Sequence, residues 1–281
     1  MPKLFSVVSW NIEHFKKDVD SAGVDARCQR VVQYIKDQDP DVIGLYEIEG
    51  KEIFHEIVTK MPGYTFHITE GDQVQEILVG VRHGFTAFFT QRTSFKSGVN
   101  SLRPGAILTL VINGVNYPLL FLHAKSANDP RSFGLRDDII NKSIKFVNVL
   151  KQAGNTDTAN FIAMGDLNTM GMRITNLGDK NIPAQMEIDR IAERAKRYYD
   201  MDLLDKTFPN TWSNGTGSRY PDSNLDHVIA ADHLQFTQFT KNGTTASVDI
   251  RGWADTTNQA DKDKWINDYS DHNLLYFEIN Q

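Results

Sequence analysis

The stretch Phe161 to Asn168, FIAMGDLN, is the strongest local constraint on how this chain can fold. Phe161, Ile162, Ala163 and Met164 form a short apolar run of the length and composition of a buried strand. Gly165 ends the run and lets the backbone turn at little steric cost. A carboxylate and an amide, Asp166 and Asn168, follow at that break. Open α/β sheets bind ligands just beyond the carboxyl ends of their strands. A carboxylate there can take a proton from water or hold a cation, and a nearby amide can donate to an oxyanion. Taken alone, the stretch is equally a strand ending in a polar turn, because Asp and Asn are common turn formers. Its weight comes from recurrence: other apolar runs along the chain end the same way.

Leu4 to Trp10, LFSVVSW, reads as a first strand and leads into Asn11 and Glu13. Asp25 to Asp37 places Val31, Val32 and Ile35 among charges, the pattern of an amphipathic helix, and Pro40-Asp41 ends it. Val42 to Tyr46 is a second buried strand, with Glu47 at its end and Glu49 two residues on. Lys51 to Lys60 reads as a helix. Strands follow at Tyr64 to Thr69, Glu76 to Val81 and Phe85 to Thr90. Ala106 to Ile112 and Tyr117 to Leu122 form a hairpin across Asn113-Gly114, and the second of these runs into His123, Lys125 and Ser126. A long amphipathic helix spans Arg131 to Leu150, and another covers roughly Ala184 to Tyr198. Leu225 to Ala230 is a strand containing Asp226 and His227. Asp249 to Asp268 reads as an irregular polar surface loop. Ser270-Asp271-His272 precedes a last strand, Leu274 to Ile279. Strands interleave with helices without a linker or sequence repeat, which predicts one α/β domain over residues 1–281.

With 281 residues the chain is long enough to bury a large core. No apolar run reaches membrane-spanning length, and MPKLFSVVSW turns polar too soon for a signal peptide. The single cysteine, Cys28, excludes an intrachain disulfide and lies in a helical pattern with no base beside it, so it reads as a packing residue. These features suit a cytoplasmic compartment, with secretion open only if a cleaved leader preceded this sequence. The net charge of −6 disfavours broad nonspecific duplex binding, although a bound cation or a local basic patch would still receive phosphate.

The polar strand-end residues form one set: Asn11, Glu13, Glu47, Glu76, His123, Asp166, Asn168, Asp226, Asp271 and His272. Oxygen ligands suit a hard cation such as Mg²⁺, with Mn²⁺ as a substitute. Such an ion takes one or two protein carboxylates and leaves room for a substrate phosphate. No cysteine or histidine spacing of zinc type is present, nor a GxxxxGK[ST] loop or a GxSxG elbow.

The ordered motifs SWNIEHF, PDVIGLYEIEG, LHAKS, MGDLN, SNLDHVI and YSDHN resemble those of the endonuclease/exonuclease/phosphatase superfamily. Each is short, but six in order cover residues 5 to 279. The resemblance implies a four-layer α/β sandwich: two mixed β-sheets face to face, with helices outside. It implies a Mg²⁺-dependent phosphodiesterase of nuclease type, acting on a phosphodiester substrate such as nucleic acid, without a membrane span and as a monomer. By the same resemblance Glu47 is the principal metal ligand, assisted by Asn11, Glu13 and Asp271. Asn11, Asn168, Arg103 and Lys125 meet the phosphate. Asp166 orients or deprotonates the attacking water, Asp226 holds metal or water, and Asp271 orients His272, which donates to a phosphoryl oxygen. His123 contacts phosphate with Glu76 as its carboxylate partner, a pairing that would favour the imidazolium. His227 reads as packing.

Simpler readings stand beside these. Asn11 suits a turn; His123 suits a satisfied core histidine, and Glu13, Arg103 and Lys125 suit a solvated surface. Glu49 would repel a DNA backbone, which weakens duplex DNA as a substrate. Two rival functions are a phosphomonoesterase acting on an inositol phosphate or lipid headgroup, and a catalytically silent binding module on the same fold.

Overall fold

The computed structural model describes residues 2–20, 23, 25–174 and 180–281. In chain order the elements are β1 (Lys3–Lys16), α1 (Ala26–Gln38), β2 (Val42–Glu49), α2 (Lys51–Lys60), β3 (Tyr64–Ile68), β4 (Glu76–Arg82) and β5 (Thr86–Arg92). Then come β6 (Gly105–Ile112), β7 (Val115–His123), α3 (Pro130–Gly154), β8 (Ile162–Asp166), α4 (Ala184–Tyr199), β9 (Met201–Leu203) and β10 (Asp226–Ala231). The chain closes with β11 (Phe239–Lys241), β12 (Thr244–Ala246), β13 (Asp249–Arg251), α5 (Gln259–Asp268) and β14 (Leu274–Asn280). Among the described residues no helix is long and apolar enough to cross a membrane.

Two compact units result. The first comprises Met1–Phe85, Lys206–Ser223 and Gln235–Gln281; the second comprises Thr86–Asp205 and Asn224–Leu234. Each holds a six-stranded mixed sheet with its own helices. In the first unit the strand order is β13-β14-β1-β2-β4-β3, and only β1 and β2 run parallel. In the second the order is β5-β6-β7-β8-β10-β9, and only β7 and β8 run parallel. Both parallel pairs are joined by a helix, α1 in one and α3 in the other, as a parallel crossover requires. The two sheets therefore repeat one topology that no sequence repeat announces.

The central strands are apolar because both faces are covered. In the first unit α1 places Cys28, Val31, Val32 and Ile35 against Val8, Trp10, Ile12 and Ile43. Its start is fixed by Asp25, which accepts from the Cys28 amide at 2.8 Å, a cap worth about 1 kcal/mol. Burial pushes the Cys28 thiol up to about 12, in keeping with a packing residue. In the second unit α3 buries Ile139, Ile140, Ile144 and Val147 against Leu120, Leu122, Phe161 and Ala163. Asp129 caps α3 and Pro130 stands in its first turn, where a missing N–H costs nothing. The Asn113-Gly114 hairpin turn is present, with both residues at positive φ.

Two segments differ from expectation. Asp249–Asp268, expected to be an irregular loop, contains β13, a short 3₁₀ turn at Trp253–Asp255 and α5. Helix α5 has no apolar stripe to read; its aromatic anchor is Trp265, stacked on Tyr269 at 5.0 Å and within 6.0 Å of Trp10 and Tyr34. Strand β1 runs past Trp10 to Lys16, with its register to β2 broken between Asn11 and Phe15. The short strands β9, β11 and β12 lack a legible pattern because three residues define no period.

Candidate active site

In the second unit three neighbouring strands deliver the polar residues side by side. His123 is paired in register with Asp166 across β7 and β8, and Asp226 with Asp166 across β10 and β8. All three are buried. His123 Nε2 lies 3.6 Å from Asp166 Oδ2, and Asp166 and Asp226 offer oxygens within 4.8 Å of each other. Asp166 Oδ1 accepts from the Asn168 amide at 2.9 Å. Asn168 adopts φ 52°, a conformation tolerated by Asn better than by most residues, and its Nδ2 donates to the Ala124 carbonyl at 3.3 Å.

Arg103 donates from Nη2 to His123 Nε2 at 2.5 Å. A guanidinium has donors only, so Arg103 is the donor side of this contact. Arg103 thus brings a fixed cation against His123. Lys125 follows His123 on the loop leaving β7 and is partly exposed. His227, read as packing, is buried and meets Thr169 Oγ1 at 2.8 Å.

In the first unit the parallel pair β1 and β2 carries Asn11 and Glu47. Glu47, Glu13 and His14 all adopt positive φ, at 63°, 39° and 45°. Such strained residues persist where the surroundings over-determine them. The Glu47 carboxylate shows how: Oε1 accepts from Asn11 Nδ2 at 3.1 Å, and Oε2 from the His14 amide at 2.9 Å and Gln75 Nε2 at 2.8 Å. Asn11 in turn accepts from the Glu13 amide at 3.0 Å. Burial raises the Glu13 pKa; Asp271 and Glu47 push it further up, against Arg27.

Trp10 Nε1 donates to the His272 carbonyl at 2.9 Å, and Ser270 Oγ to the Asn11 carbonyl at 2.7 Å. Asp271 was expected to orient His272. Its Oδ1 stands 3.9 Å from His272 Nε2, beyond hydrogen-bond range, while its Oδ2 accepts from Trp212 Nε1 at 2.6 Å. Glu76 begins β4 opposite Ile48 and accepts from Thr69 Oγ1 and Gln73 Nε2 at 2.5 and 2.6 Å.

Sequence reasoning missed His14, Gln75 and Trp212. His14 Nδ1 lies 2.7 Å from Glu49 Oε1, and that bond raises its pKa, so a protonated His14 would offset the Glu49 charge expected to repel DNA. Gln75, adjacent to Glu76, carried no signal of its own. Trp212 has a usable one, since a buried indole N–H seeks an acceptor.

Residues 8–272 match the model of the Endonuclease/Exonuclease/phosphatase family. No curated protein matches the sequence. Solved structures share the fold at low identity. TDP2 of D. rerio, complexed with a single-strand DNA product, is 16% identical with a TM-score of 0.62, over 99% of both chains. The human Nocturnin catalytic domain with bound sulfate is 14% identical at 0.62, over 99% of this chain and 95% of that one. A mannosyl-6-phosphatase of Bacteroides thetaiotaomicron is 13% identical at 0.58, over 99% of this chain and all of that one.

Proposed function

The chain belongs to the endonuclease/exonuclease/phosphatase family, whose members are hydrolases of phosphoester bonds, and from that premise we propose that it is a Mg²⁺-dependent phosphodiesterase of nuclease type. The observation that supports a cation best is the crowding of carboxylates in the first unit. Burial first, then Asp271 and Glu47 as like charges, raise the Glu13 pKa, and Glu47 is already turned and held by three donors. A hard divalent cation fits this oxygen-rich donor set. Glu47 would hold it, with Asn11, Glu13 and Asp271 assisting, and Mn²⁺ would substitute. When bound, the ion supplies charge neutralisation at the phosphoryl oxygens.

The remaining chemistry belongs to the chain. Asp166 accepts the proton of the attacking water, and Asp226 holds that water. Asn168, Arg103 and Lys125 contact the phosphate, and Asn11 assists from the first unit. A guanidinium matches phosphate geometry in two donors at once, so Arg103 carries the anion and His123 supports it. His272 donates to a phosphoryl oxygen. Glu76 and His123 act together in this reading, which a double-mutant cycle on kcat/KM tests: strong non-additivity supports it and additive losses oppose it. The single buried thiol supports a cytoplasmic location, and a monomer completes the reading.

The deciding experiment is a substrate panel with Mg²⁺: bis(p-nitrophenyl) phosphate, p-nitrophenyl phosphate, single- and double-stranded DNA, RNA and inositol phosphates. Cleavage of diesters that stops in EDTA and returns with Mg²⁺ is the expected result. Diester hydrolysis undiminished by EDTA refutes the metal, monoester cleavage alone establishes the phosphatase alternative, and silence throughout establishes a binding module.

A further inference from the structure

One buried guanidinium ties together the two loops that leave the central strands of the second unit. Arg136, on α3, is 0% exposed. Its Nε and Nη2 donate to Glu187 Oε1 and Oε2 at 2.7 and 3.0 Å, a bidentate pair with the first turn of α4. Nη1 donates to the carbonyls of Lys125 and Ala127 at 3.2 and 2.8 Å, on the loop after β7. Nη2 also donates to the Gly171 carbonyl at 2.8 Å, on the loop after β8. All five donors of the guanidinium are thus used. Glu187 Oε2 accepts from the Gly171 amide at 2.7 Å and closes the ring of contacts.

Stability alone is a poor reason for this arrangement, because replacing a buried ion pair by apolar residues of similar volume is often neutral or stabilising. The loops themselves supply a better one. Ala127 and Asn168 sit at φ 78° and 52°, and Gly171 at 71°. A Cβ on Gly171 would meet the Ile182 carbonyl at 2.2 Å. Strained conformations of this kind hold only where the surroundings leave no alternative. Arg136 grips Lys125 at its own carbonyl, and Asn168 lies between the end of β8 and the grip on Gly171.

We propose that Arg136 and Glu187 are positioning residues that fix the approach of Lys125 and Asn168 to the scissile phosphate. The proposal rests on the phosphoesterase reading for its catalytic consequence but not for the clamp itself. Two variants and two readouts separate them. Arg136→Met/Glu187→Leu removes both charges and keeps the volume apolar. Arg136→Lys keeps a charge opposite Glu187 but loses the fork that reaches three carbonyls.

The expected result for both is a protein that still folds, with a lowered melting temperature and faster amide hydrogen exchange confined to residues 124–129 and 167–171. With it, kcat on bis(p-nitrophenyl) phosphate falls roughly 10²-fold with little change in KM, the scale of a small misplacement of reacting groups. Unchanged loop exchange overturns the clamp. Faster exchange with wild-type kcat overturns the positioning role. Failure of both variants to fold makes the pair a stability element and also overturns it. An inactive wild type sinks the phosphoesterase reading instead, and with it the catalytic role given to the pair; exchange then decides the clamp alone.

Discussion

The sheets of the two units match strand for strand. β14, β1, β2 and β4 of the first occupy the places of β6, β7, β8 and β10 of the second, with the same single parallel pair in the middle. Each of these strands carries a polar residue at or beside the corresponding end. In the first unit these are Asp271 and His272, Asn11, Glu47 and Glu76; in the second they are Arg103, His123, Asp166 and Asp226. Topology alone thus assigns the places where chemistry can be presented, while residue identity assigns the chemistry. The first unit concentrates carboxylates and raises the Glu13 pKa, a condition that a cation relieves. The second keeps two carboxylates buried beside an imidazole and a guanidinium, a condition suited to moving a proton and receiving an anion. The backing differs too. Glu47 is held by amides from its own sheet, whereas the second unit's loops are gripped by an ion pair between helices.

The comparison breaks most visibly at Asp166. Asp166→Asn keeps the side-chain size but cannot take a proton, so kcat is expected to fall about 10²–10⁴-fold with a melting curve near wild type. Activity within a few-fold of wild type would leave the second unit without its base.

A paired experiment tests the division of labour directly. Gln75→Ala removes a donor to Glu47 and should weaken Mg²⁺ activation roughly 10–100-fold, the usual effect of losing an outer support of a metal ligand. Arg103→Ala should raise KM for substrate and leave the Mg²⁺ titration where it was. If both variants shift the same parameter, the proposed assignment of cation to one unit and anion to the other is wrong.

Trp212→Phe keeps the ring and removes the N–H that reaches Asp271. A hydrogen bond to a charged group is worth about 1.5–3 kcal/mol, and urea unfolding should show a loss of that order. An unchanged midpoint would mean that Asp271 is held by other contacts.

The smallest effect concerns the layer behind the first unit's strands. Folding raises the Cys28 thiol from about 9 to about 12. A folded-state pKa above the unfolded one gives stability that is complete below pH 9 and lost as pH rises toward 12. Between pH 7.5 and 10 wild type should therefore lose on the order of 1 kcal/mol more than Cys28→Ala. Equal losses in the two proteins would show that Cys28 ionises as freely folded as unfolded.

Much of this was legible before any coordinates. Buried strands announce themselves by apolar runs, and a functional strand end by the polar residue that follows it, so Glu47, Asp166, Asn168 and Asp226 could be singled out by position. The helices α1 and α3 showed their apolar stripe. Helix α5 did not, because one tryptophan docked into an aromatic cluster replaces the periodic face that a sequence pattern needs. Trp212 and Asp271 lie 59 residues apart, and nothing local in either marks the other as a partner.

What the sequence by itself determined is the inventory: the longer buried strands, the residues that close them, and an offer of oxygen and imidazole groups with a single thiol. What only the tertiary structure decided is protonation and partnership. Arg103 arrives 2.5 Å from His123 Nε2, and the Glu13 pKa is raised by burial first and then by Asp271 and Glu47 nearby. Charge interactions act through space and burial, not along the chain, so residues distant in sequence set each other's state only once the strands are paired.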